Sequence, residues 1–175
     1  TSALHCAVEA SNLEAALALG QAGADVNLRN ACGETALLLA TAKGNERIVR
    51  LLIKFGAFVN LADDAGDSAL HWAIREGHEG LVTLLLHEGA DKNAKNEDGE
   101  APLFFAVSLQ ESKIAQILIA SGACVADQNL AGVSILEEAK YSGLSDLVNA
   151  LERNGAHLPK RPLSAPFQES SFLHV

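Results

Sequence analysis

Several features that are common in membrane, secreted and nucleic-acid-binding proteins are scarce or missing in this chain. Its 175 residues include no methionine, one tryptophan and only three cysteines. No apolar run approaches the roughly 18 residues that a membrane-spanning helix needs, so no such helix is expected. An odd, scattered set of three cysteines favours free thiols in a reducing compartment over a disulfide framework. We therefore expect a cytoplasmic protein, either free in the cytosol or held at the cytosolic face of a membrane by other domains.

Basic residues are also in short supply. Lysine and arginine total 13 against 22 aspartates and glutamates, which gives a formal net charge of −9. No basic patch is visible in the sequence, whereas nucleic-acid-binding domains usually carry one. Because an acidic surface repels nucleic acid and attracts basic partners, we expect no nucleic-acid partner.

What the sequence does contain is a pattern that returns every 33 residues, five times, without insertion or deletion. The five units align on Ser2, Thr35, Ser68, Ala101 and Ser134. Each unit has a leucine two residues after this position, an alanine five residues after it and a Gly-Ala pair near its end. A fixed period of this length indicates a stacked array of similar units rather than one globular core.

The third unit shows the pattern most completely. It reads Asp63-Asp-Ala-Gly-Asp-Ser-Ala-Leu-His-Trp-Ala, continues with Glu76-Gly-His and closes with Gly-Ala-Asp-Lys-Asn93. This resembles the ankyrin repeat, whose signature includes Thr-Pro-Leu-His-x-Ala at the same period. The resemblance implies an all-α repeat solenoid, an ankyrin-type stack of helix-turn-helix units joined by hairpin loops. It covers residues 1–158, divided into repeats 1–29, 30–62, 63–95, 96–128 and 129–158.

Each unit contains the signals for two short helices. A hydroxyl residue such as Ser68 can cap the first helix. A glycine such as Gly77 separates the two helices, but Ser11 and Gln110 replace it in the first and fourth units. Ala126 also replaces the hairpin asparagine of the earlier units. We therefore expect the fourth unit to be the least regular interior layer.

The two ends of the array differ in polarity. The first unit keeps an apolar, alanine-rich character instead of the polar outer face of a terminal cap, so we expect further repeats ahead of Thr1 in a longer protein. The last unit has Glu137 and Glu152 where the pattern has histidine and an apolar residue, as a C-terminal cap would. Residues 159–175, which contain three prolines and three serines, are predicted to be a linker, a peptide docked on the last repeats or a PDZ-type ligand.

No residue pattern points to catalysis. His5 and His71 occupy the motif position at which the resemblance implies a hydrogen bond between repeats. No cysteine and histidine cluster has the spacing of zinc ligands, and the motifs of phosphate loops and nucleophile elbows are missing. We expect no enzymatic activity, no metal site and no cofactor.

The resemblance implies function through binding. It places a concave recognition surface on the hairpin tips and on the exposed positions of the first helices. The prediction is a monomeric, non-catalytic scaffold or adaptor that binds a protein or peptide partner on this surface. The alternative is a regulatory or targeting segment of a larger multidomain enzyme or membrane-trafficking protein whose active parts lie outside this chain.

The candidate contact residues of the concave face mix apolar and charged side chains. They are Leu39, Trp72, Arg75, Glu76, Phe105, Leu109 and Tyr141. Trp72 and Phe105 fall at equivalent positions of neighbouring units, where two rings could anchor a partner. The other explanation, that both rings pack between first helices, stays open because aromatic residues are usually core.

A second set of candidates consists of acidic residues at the hairpin tips. They are Glu34, Asp64, Asp67, Glu97, Asp98 and Glu100. An acidic edge favours a partner with a basic segment, although surface acids also keep such an array soluble. Finally, Asn27, Asn60 and Asn93 resemble the hairpin asparagines that asparaginyl hydroxylases modify in ankyrin proteins. They are candidate hydroxylation sites, and the alternative is a structural role in the hairpin.

Overall fold

A computed structural model describes residues 1–158 of the protein and contains ten α-helices there. They are α1 (Ala3–Glu9), α2 (Leu13–Gln21), α3 (Ala36–Ala42), α4 (Glu46–Lys54), α5 (Ala69–Arg75), α6 (Glu79–His87), α7 (Pro102–Ser108), α8 (Ser112–Ala120), α9 (Ile135–Tyr141) and α10 (Ser145–Arg153). Consecutive helices pair into five layers, from layer 1 (α1 and α2) to layer 5 (α9 and α10). The predicted all-α stack of helix-turn-helix units is thereby confirmed. The predicted tail, residues 159–175, lies outside the described residues.

Capping at the start of the first helices also links neighbouring layers. In layer 3 the backbone N–H of Ser68 donates to Nδ1 of His71 at 3.2 Å, and Ser68 Oγ lies 2.9 Å from the same nitrogen. The opposite ring nitrogen, Nε2, donates to the carbonyl oxygen of Glu100 in layer 4 at 3.1 Å. His5 makes the same contacts between layers 1 and 2. The motif histidine therefore caps its own helix and binds the next layer, as the resemblance implies.

The layers are stacked in chain order. Among the first helices, α1 packs on α3, α3 on α5, α5 on α7 and α7 on α9; among the second helices, α2 contacts α4, α6 contacts α8 and α8 contacts α10. The hairpin tips are joined by backbone hydrogen bonds of 3.0–3.3 Å, in which the donors are the N–H groups of Asp64, Glu97 and Leu130 and the acceptors are the carbonyls of Cys32, Ala65 and Asp98. A continuous surface of tips therefore runs beside the first helices.

One apolar core passes through all five layers. It includes buried residues from Leu4 in layer 1 to Ala156 after layer 5. Each layer buries its apolar side chains against the neighbouring layers, so the stability of one layer depends on the next. None of the helices between residues 1 and 158 combines the length and the apolar character needed to cross a membrane.

The turns between paired helices contain two strained residues. Gly44 and Gly77 adopt φ values of 67° and 68°, in the left-handed region that glycine tolerates. Ser11 and Gln110 occupy the equivalent positions with φ values of 51° and 61°. Their Cβ atoms make this conformation unfavourable, so the fold holds both residues in it. Among the interior layers 2 to 4, layer 4 alone has a residue other than glycine at this turn.

Candidate protein-binding surface

Trp72 and Phe105, the predicted aromatic pair, lie in neighbouring layers but do not form an open apolar patch. Phe105 is buried, with 9% of its surface exposed, and its ring packs edge-on against His71 with 5.6 Å between centroids. The guanidinium carbon of Arg75 lies 4.7 Å from the centre of the Trp72 ring and 5.4 Å from that of Phe105. The geometry supports packing as the role of Phe105, and it leaves Trp72 half-buried beneath a cation.

The polar atoms around Trp72 are held by neighbouring carboxylates. The indole N–H of Trp72 donates to Asp63 Oδ2 at 2.9 Å. Arg75 Nη2 donates to Asp67 Oδ2 at 2.5 Å, and Asn96 Nδ2 donates to the other oxygen of Asp67 at 3.0 Å. The side chain of Asp67 is only 3% exposed. The expectation that Asp67 is an exposed tip acid is therefore wrong, because the guanidinium of Arg75 and an amide from the next layer cover its carboxylate.

Three of the remaining candidates lie together at the ends of first helices. Leu109 is 42% exposed and Tyr141 is 64% exposed, while Glu76 is also exposed. They follow or end α5, α7 and α9, which pack side by side. We call Glu76, Leu109 and Tyr141 the helix-end row. Leu39, within α3, is half-buried against the core and lies outside this row.

The acidic tip candidates have different surroundings. The exposed ones are Asp64, Glu97 and Asp98. Asp64 Oδ1 accepts a hydrogen bond from Arg29 Nη2 at 3.0 Å, in an ion pair between neighbouring hairpins. Glu34 is half-buried, and its carboxylate accepts from Asn30 Nδ2 at 2.6 Å. The accessible negative charge is thus concentrated at Glu97 and Asp98, in the hairpin between layers 3 and 4.

Glu100, the last acidic candidate, is half-buried at the base of that hairpin. Burial, and to a smaller extent the neighbouring carboxylates Asp98, Glu138 and Asp67, raise the pKa of Glu100 from its ordinary value of 4.5 to about 7. Glu138, on α9, is also half-buried, and burial raises its pKa as well. A cation placed beside these two side chains would favour their ionised forms.

His71 is uncharged in this environment. Burial lowers the pKa of His71, against the smaller effect of its hydrogen bond to the Glu100 carbonyl. That carbonyl oxygen can only accept, so the single ring proton lies on Nε2 and Nδ1 accepts from Ser68. The histidine therefore acts as a neutral bridge between layers 3 and 4.

The list of candidate contact residues left out Glu138, and sequence reasoning missed the ion pair of Arg75 with Asp67. Glu138 occupies the repeat position of Trp72 and Phe105, so the alignment of the units was enough to find it. The alignment of the units gave no comparable indication that Arg75 and Asp67 form an ion pair. Asp67 looks like any other hairpin acid until its partners are known.

No metal or disulfide chemistry is assembled in the described part of the chain. Within residues 1–158, no group of three or more histidine, cysteine, aspartate or glutamate side chains is placed to hold a metal ion. The three cysteines, Cys6, Cys32 and Cys124, are free and exposed.

Comparison with known families identifies the stack. The family described as "Ankyrin repeats (3 copies)" matches residues 4–96 and 80–161. The chain belongs to the ankyrin repeat family. Ankyrin repeats are generally protein–protein interaction modules.

A curated relative shares part of this ankyrin array. Over 54 residues the chain is 43% identical to "Probable E3 ubiquitin-protein ligase XBOS33" of Oryza sativa subsp. japonica. The matched stretch covers 31% of this chain and spans only 10% of the rice protein. The likeness therefore concerns repeats and leaves most of the rice protein unmatched.

The hairpin asparagines join successive ankyrin repeats. Asn60 Nδ2 donates to the carbonyl oxygen of Gly89 at 3.2 Å, and its Oδ1 accepts from the backbone N–H of Asp91 at 2.7 Å. Asn27 makes the same two bonds one repeat earlier, and Asn93 accepts the equivalent bond one repeat later. These contacts give all three asparagines a structural role, and their hydroxylation stays a prediction.

Proposed function

We propose that this ankyrin array is a non-catalytic scaffold or adaptor that binds a protein or peptide partner on its first helices and hairpin tips. The observation that carries the proposal is the helix-end row. Leu109 and Tyr141 are large, exposed side chains at the ends of the neighbouring helices α7 and α9. Protein interfaces combine an apolar or aromatic centre with a polar rim in this way.

The surrounding charges support a partner with a basic segment. Glu138 precedes Tyr141 by three residues on α9, a spacing that places both on one side of the helix. Glu100 lies within electrostatic reach of Glu138, and burial raises the pKa of both carboxyls. A lysine or arginine of the partner would stabilise the ionised carboxylates, while the exposed Glu97 and Asp98 extend the negative potential.

The contacts of Arg75 favour layers 4 and 5, rather than layer 3, as the place where the basic segment of the partner binds. Its guanidinium covers Trp72 and pairs with Asp67 in layer 3. The Trp72 ring and the Asp67 carboxylate are therefore already occupied and are not open to a cation of the partner. We therefore place the apolar contact at Leu109 and Tyr141 and treat Trp72 as the boundary of the site.

We also place this binding in the cytoplasm. The three cysteines of the chain are free and exposed. Exposed thiols of this kind persist in reducing compartments and are oxidised in secretory ones.

The test combines partner capture with measured affinity. Proteins captured from cell lysate by the chain are identified by mass spectrometry, and the bound segment is then titrated against purified variants. Replacing both Leu109 and Tyr141 by serine is expected to weaken binding at least about tenfold, since exposed anchors carry most interface energy. The matched control is Leu17→Ser on α2, where the leucine has a similar exposure of 39%.

Two further results bear on this test. Glu138→Gln is expected to weaken binding and to reduce its dependence on salt, because one carboxylate is lost from the site. A partner that binds the double variant with unchanged affinity would contradict the proposed site. Circular dichroism of each variant ensures that the repeats are still folded.

The second candidate function is a regulatory or targeting segment of a larger protein. It is favoured by the rice relative, in which the matched stretch is 10% of the length. Both candidates bind through the same surface and differ in what the rest of the native polypeptide does. Immunoprecipitation of the native protein with an antibody to the array, followed by peptide mapping of its whole sequence by mass spectrometry, separates them. An enzymatic or trafficking domain in the same polypeptide supports the second candidate, and a polypeptide of repeats alone contradicts it.

A further inference from the structure

The surface of α4 carries a local excess of positive charge, although the formal net charge of the chain is −9. Arg47, Arg50 and Lys54 are all exposed, and their spacing of three and four residues places them on one side of this helix. The other side of α4 is buried in the core. We call Arg47, Arg50 and Lys54 the basic stripe.

Two of these three cations have no partner of their own. Arg50 Nη2 lies 2.8 Å from Glu46 Oε1, one turn earlier on the same helix. Arg47 and Lys54 form neither a salt bridge nor a side-chain hydrogen bond with any other residue between 1 and 158. Their charges can therefore bind an external carboxylate without breaking a contact inside the protein.

The basic stripe belongs to layer 2 and is not repeated along the stack. In each other second helix, the three equivalent positions hold at most one lysine or arginine. These residues are Glu14, Leu17 and Gln21 on α2, Gly80, Thr83 and His87 on α6, Lys113, Gln116 and Ala120 on α8, and Asp146, Asn149 and Arg153 on α10. Stacking of the repeats therefore does not require cations at these positions.

An exposed aromatic ring follows the basic stripe. Phe58 lies four residues after Lys54, beyond the end of α4, and is 65% exposed. Its counterparts in the other layers are all smaller or polar: Asp25, Asp91, Cys124 and His157. The backbone N–H of Phe58 donates to Asn27 Oδ1 at 2.8 Å, so a contact between layers fixes the backbone that carries this ring.

A second ring supports the surface between the stripe and Phe58. Phe55 ends α4 and is half-buried, and its ring lies against the backbone of Gly20 on α2. A Cβ at Gly20 would clash with this ring. Phe55 therefore packs between layers 1 and 2, whereas Phe58 remains open to a partner.

We propose that the basic stripe and Phe58 form a second docking surface, which binds an acidic peptide segment of a partner protein. Carboxylates of the segment pair with Arg47 and Lys54, and an apolar side chain of the segment packs on Phe58. The helix-end row differs in place, since Leu109 and Tyr141 end first helices of layers 4 and 5. The array then joins two partner segments of opposite charge. This inference goes beyond the proposed function and does not depend on it.

The charges around the stripe favour an acidic peptide over an anionic membrane. A peptide contacts the stripe itself, and charges beyond about 8 Å are largely screened at physiological salt. A flat membrane that met the second helices would also approach the exposed carboxylates Glu14, Glu79 and Asp146. Those carboxylates would repel the anionic head groups.

The test selects peptides that depend on the stripe. A random peptide library displayed on phage is selected on the 175-residue chain and counter-selected on the double variant Arg47→Glu, Lys54→Glu. The retained peptides are expected to combine several aspartates or glutamates with an apolar residue. One of them is then labelled with fluorescein and titrated. The double variant should bind it at least about tenfold more weakly, and added salt should weaken its binding to the wild type.

The matched control makes the same change in net charge at equivalent positions. Lys113 is the counterpart of Arg47 on α8, and Arg153 is the counterpart of Lys54 on α10. Changing both to glutamate should weaken peptide binding by less than about twofold, because these charges lie outside the site. Circular dichroism of each double variant checks that the repeats are folded.

A second pair of variants tests the apolar contact. Phe58→Ser should weaken binding about fivefold, since an exposed ring is a common anchor. Leu130→Ser is its control, because Leu130 is 77% exposed on another hairpin, and it should leave the affinity unchanged. The variant with serine at Leu109 and Tyr141 should also bind this peptide normally, so the two docking surfaces are tested separately.

Several results would overturn the proposal. They are a selection that yields no stripe-dependent acidic peptide, an equal loss of affinity in the Lys113 and Arg153 variant, and unchanged binding by Phe58→Ser. Cosedimentation with vesicles of phosphatidylcholine and phosphatidylserine that the Arg47 and Lys54 variant abolishes would overturn it in favour of a membrane. A dimer of the chain that the same variant dissociates would overturn it in favour of a second copy.

Discussion

Arg75 and Trp72 form one unit, with the guanidinium carbon 4.7 Å from the centre of the indole ring. The same guanidinium donates to the buried carboxylate of Asp67 at 2.5 Å. One side chain therefore connects the aromatic surface of layer 3 with the hairpin before it. The carboxylate of this ion pair is buried, with 3% of the Asp67 side chain exposed, while 37% of the Arg75 side chain is exposed.

Arg75→Ala is expected to destabilise the array by about 2 kcal/mol, because it leaves the Asp67 carboxylate buried without its cation. Arg75→Lys should cost less than the alanine change, since the charge is kept while the planar contact with the ring is lost. The measurement is urea unfolding followed by fluorescence. Trp72 is the only tryptophan of the chain, so its emission reports directly on this layer.

The control for this prediction is an ion pair of similar length on the surface. Arg50 Nη2 lies 2.8 Å from Glu46 Oε1, and the two side chains are 58% and 51% exposed. Arg50→Ala should therefore change the free energy of unfolding by less than about 0.5 kcal/mol. Equal losses from Arg50→Ala and Arg75→Ala would show that the burial of Asp67 adds nothing.

The pKa of Glu100 predicts a pH-dependent effect of Glu100→Gln. Burial and the carboxylates around Glu100 raise its pKa from an ordinary value of 4.5 to about 7. The folded protein therefore binds this proton more tightly than the unfolded chain, and the resulting stabilisation is lost as the pH rises from 4.5 through 7. Glu100→Gln should be more stable than the wild type at pH 8, and its advantage should shrink towards pH 5.

The matched control is Glu97→Gln, which removes one carboxylate from the exposed tip of the same hairpin. Because this side chain is exposed, its removal should have only a small effect on the free energy of unfolding. His71 does not obscure the comparison, because it is present in both proteins and its contribution cancels in the difference. A Glu100→Gln advantage that is equal at both pH values would mean that Glu100 holds no extra proton in the folded state.

The helices and their stacking could be predicted because each unit repeats the same local signals. Ser68 and His71 predict a capped first helix, and Gly77 predicts the turn that follows it. Five units in one register give independent evidence for the same structure. Capping residues and turn glycines act on the backbone only a few residues away, so each unit carries the information for its own two helices. The fixed period then predicts that these units stack.

The candidate site was less predictable because its contacts come from neighbouring layers. Glu34, Asp67 and Glu100 occupy one repeat position and look equivalent in the sequence. Asp67 is nevertheless buried, because Asn96 reaches it from the next layer and Arg75 from its own helix. Such contacts depend on which side chains happen to face each other across a junction, and a period of 33 residues does not specify them.

Asn60→Ala tests the bonds between repeats. The change removes two hydrogen bonds to the backbone of the next layer, at Gly89 and Asp91. At about 1 kcal/mol for each bond, the expected loss of stability is about 2 kcal/mol, measured by urea unfolding. Asn149→Ala, at an exposed position within α10, is the control and should cost nothing, because alanine is the better helix former. A loss of stability no larger than that of the control would show that the hydrogen bonds of Asn60 do not stabilise the contact between layers.

Gln110 and Gly77 allow a reciprocal test of backbone strain. They occupy equivalent turns with φ values of 61° and 68°. Gln110→Gly should stabilise the array by about 1 kcal/mol, because glycine adopts this conformation without a Cβ clash. Gly77→Gln should reduce the stability by a similar amount. A Cβ at this position would lie 3.5 Å from Glu111 Oε1, which is an ordinary contact distance, so the cost comes from the backbone conformation alone. Urea unfolding of both single variants and the double variant should give effects that nearly cancel, and a neutral Gln110→Gly would show that layer 4 carries no strain at this turn.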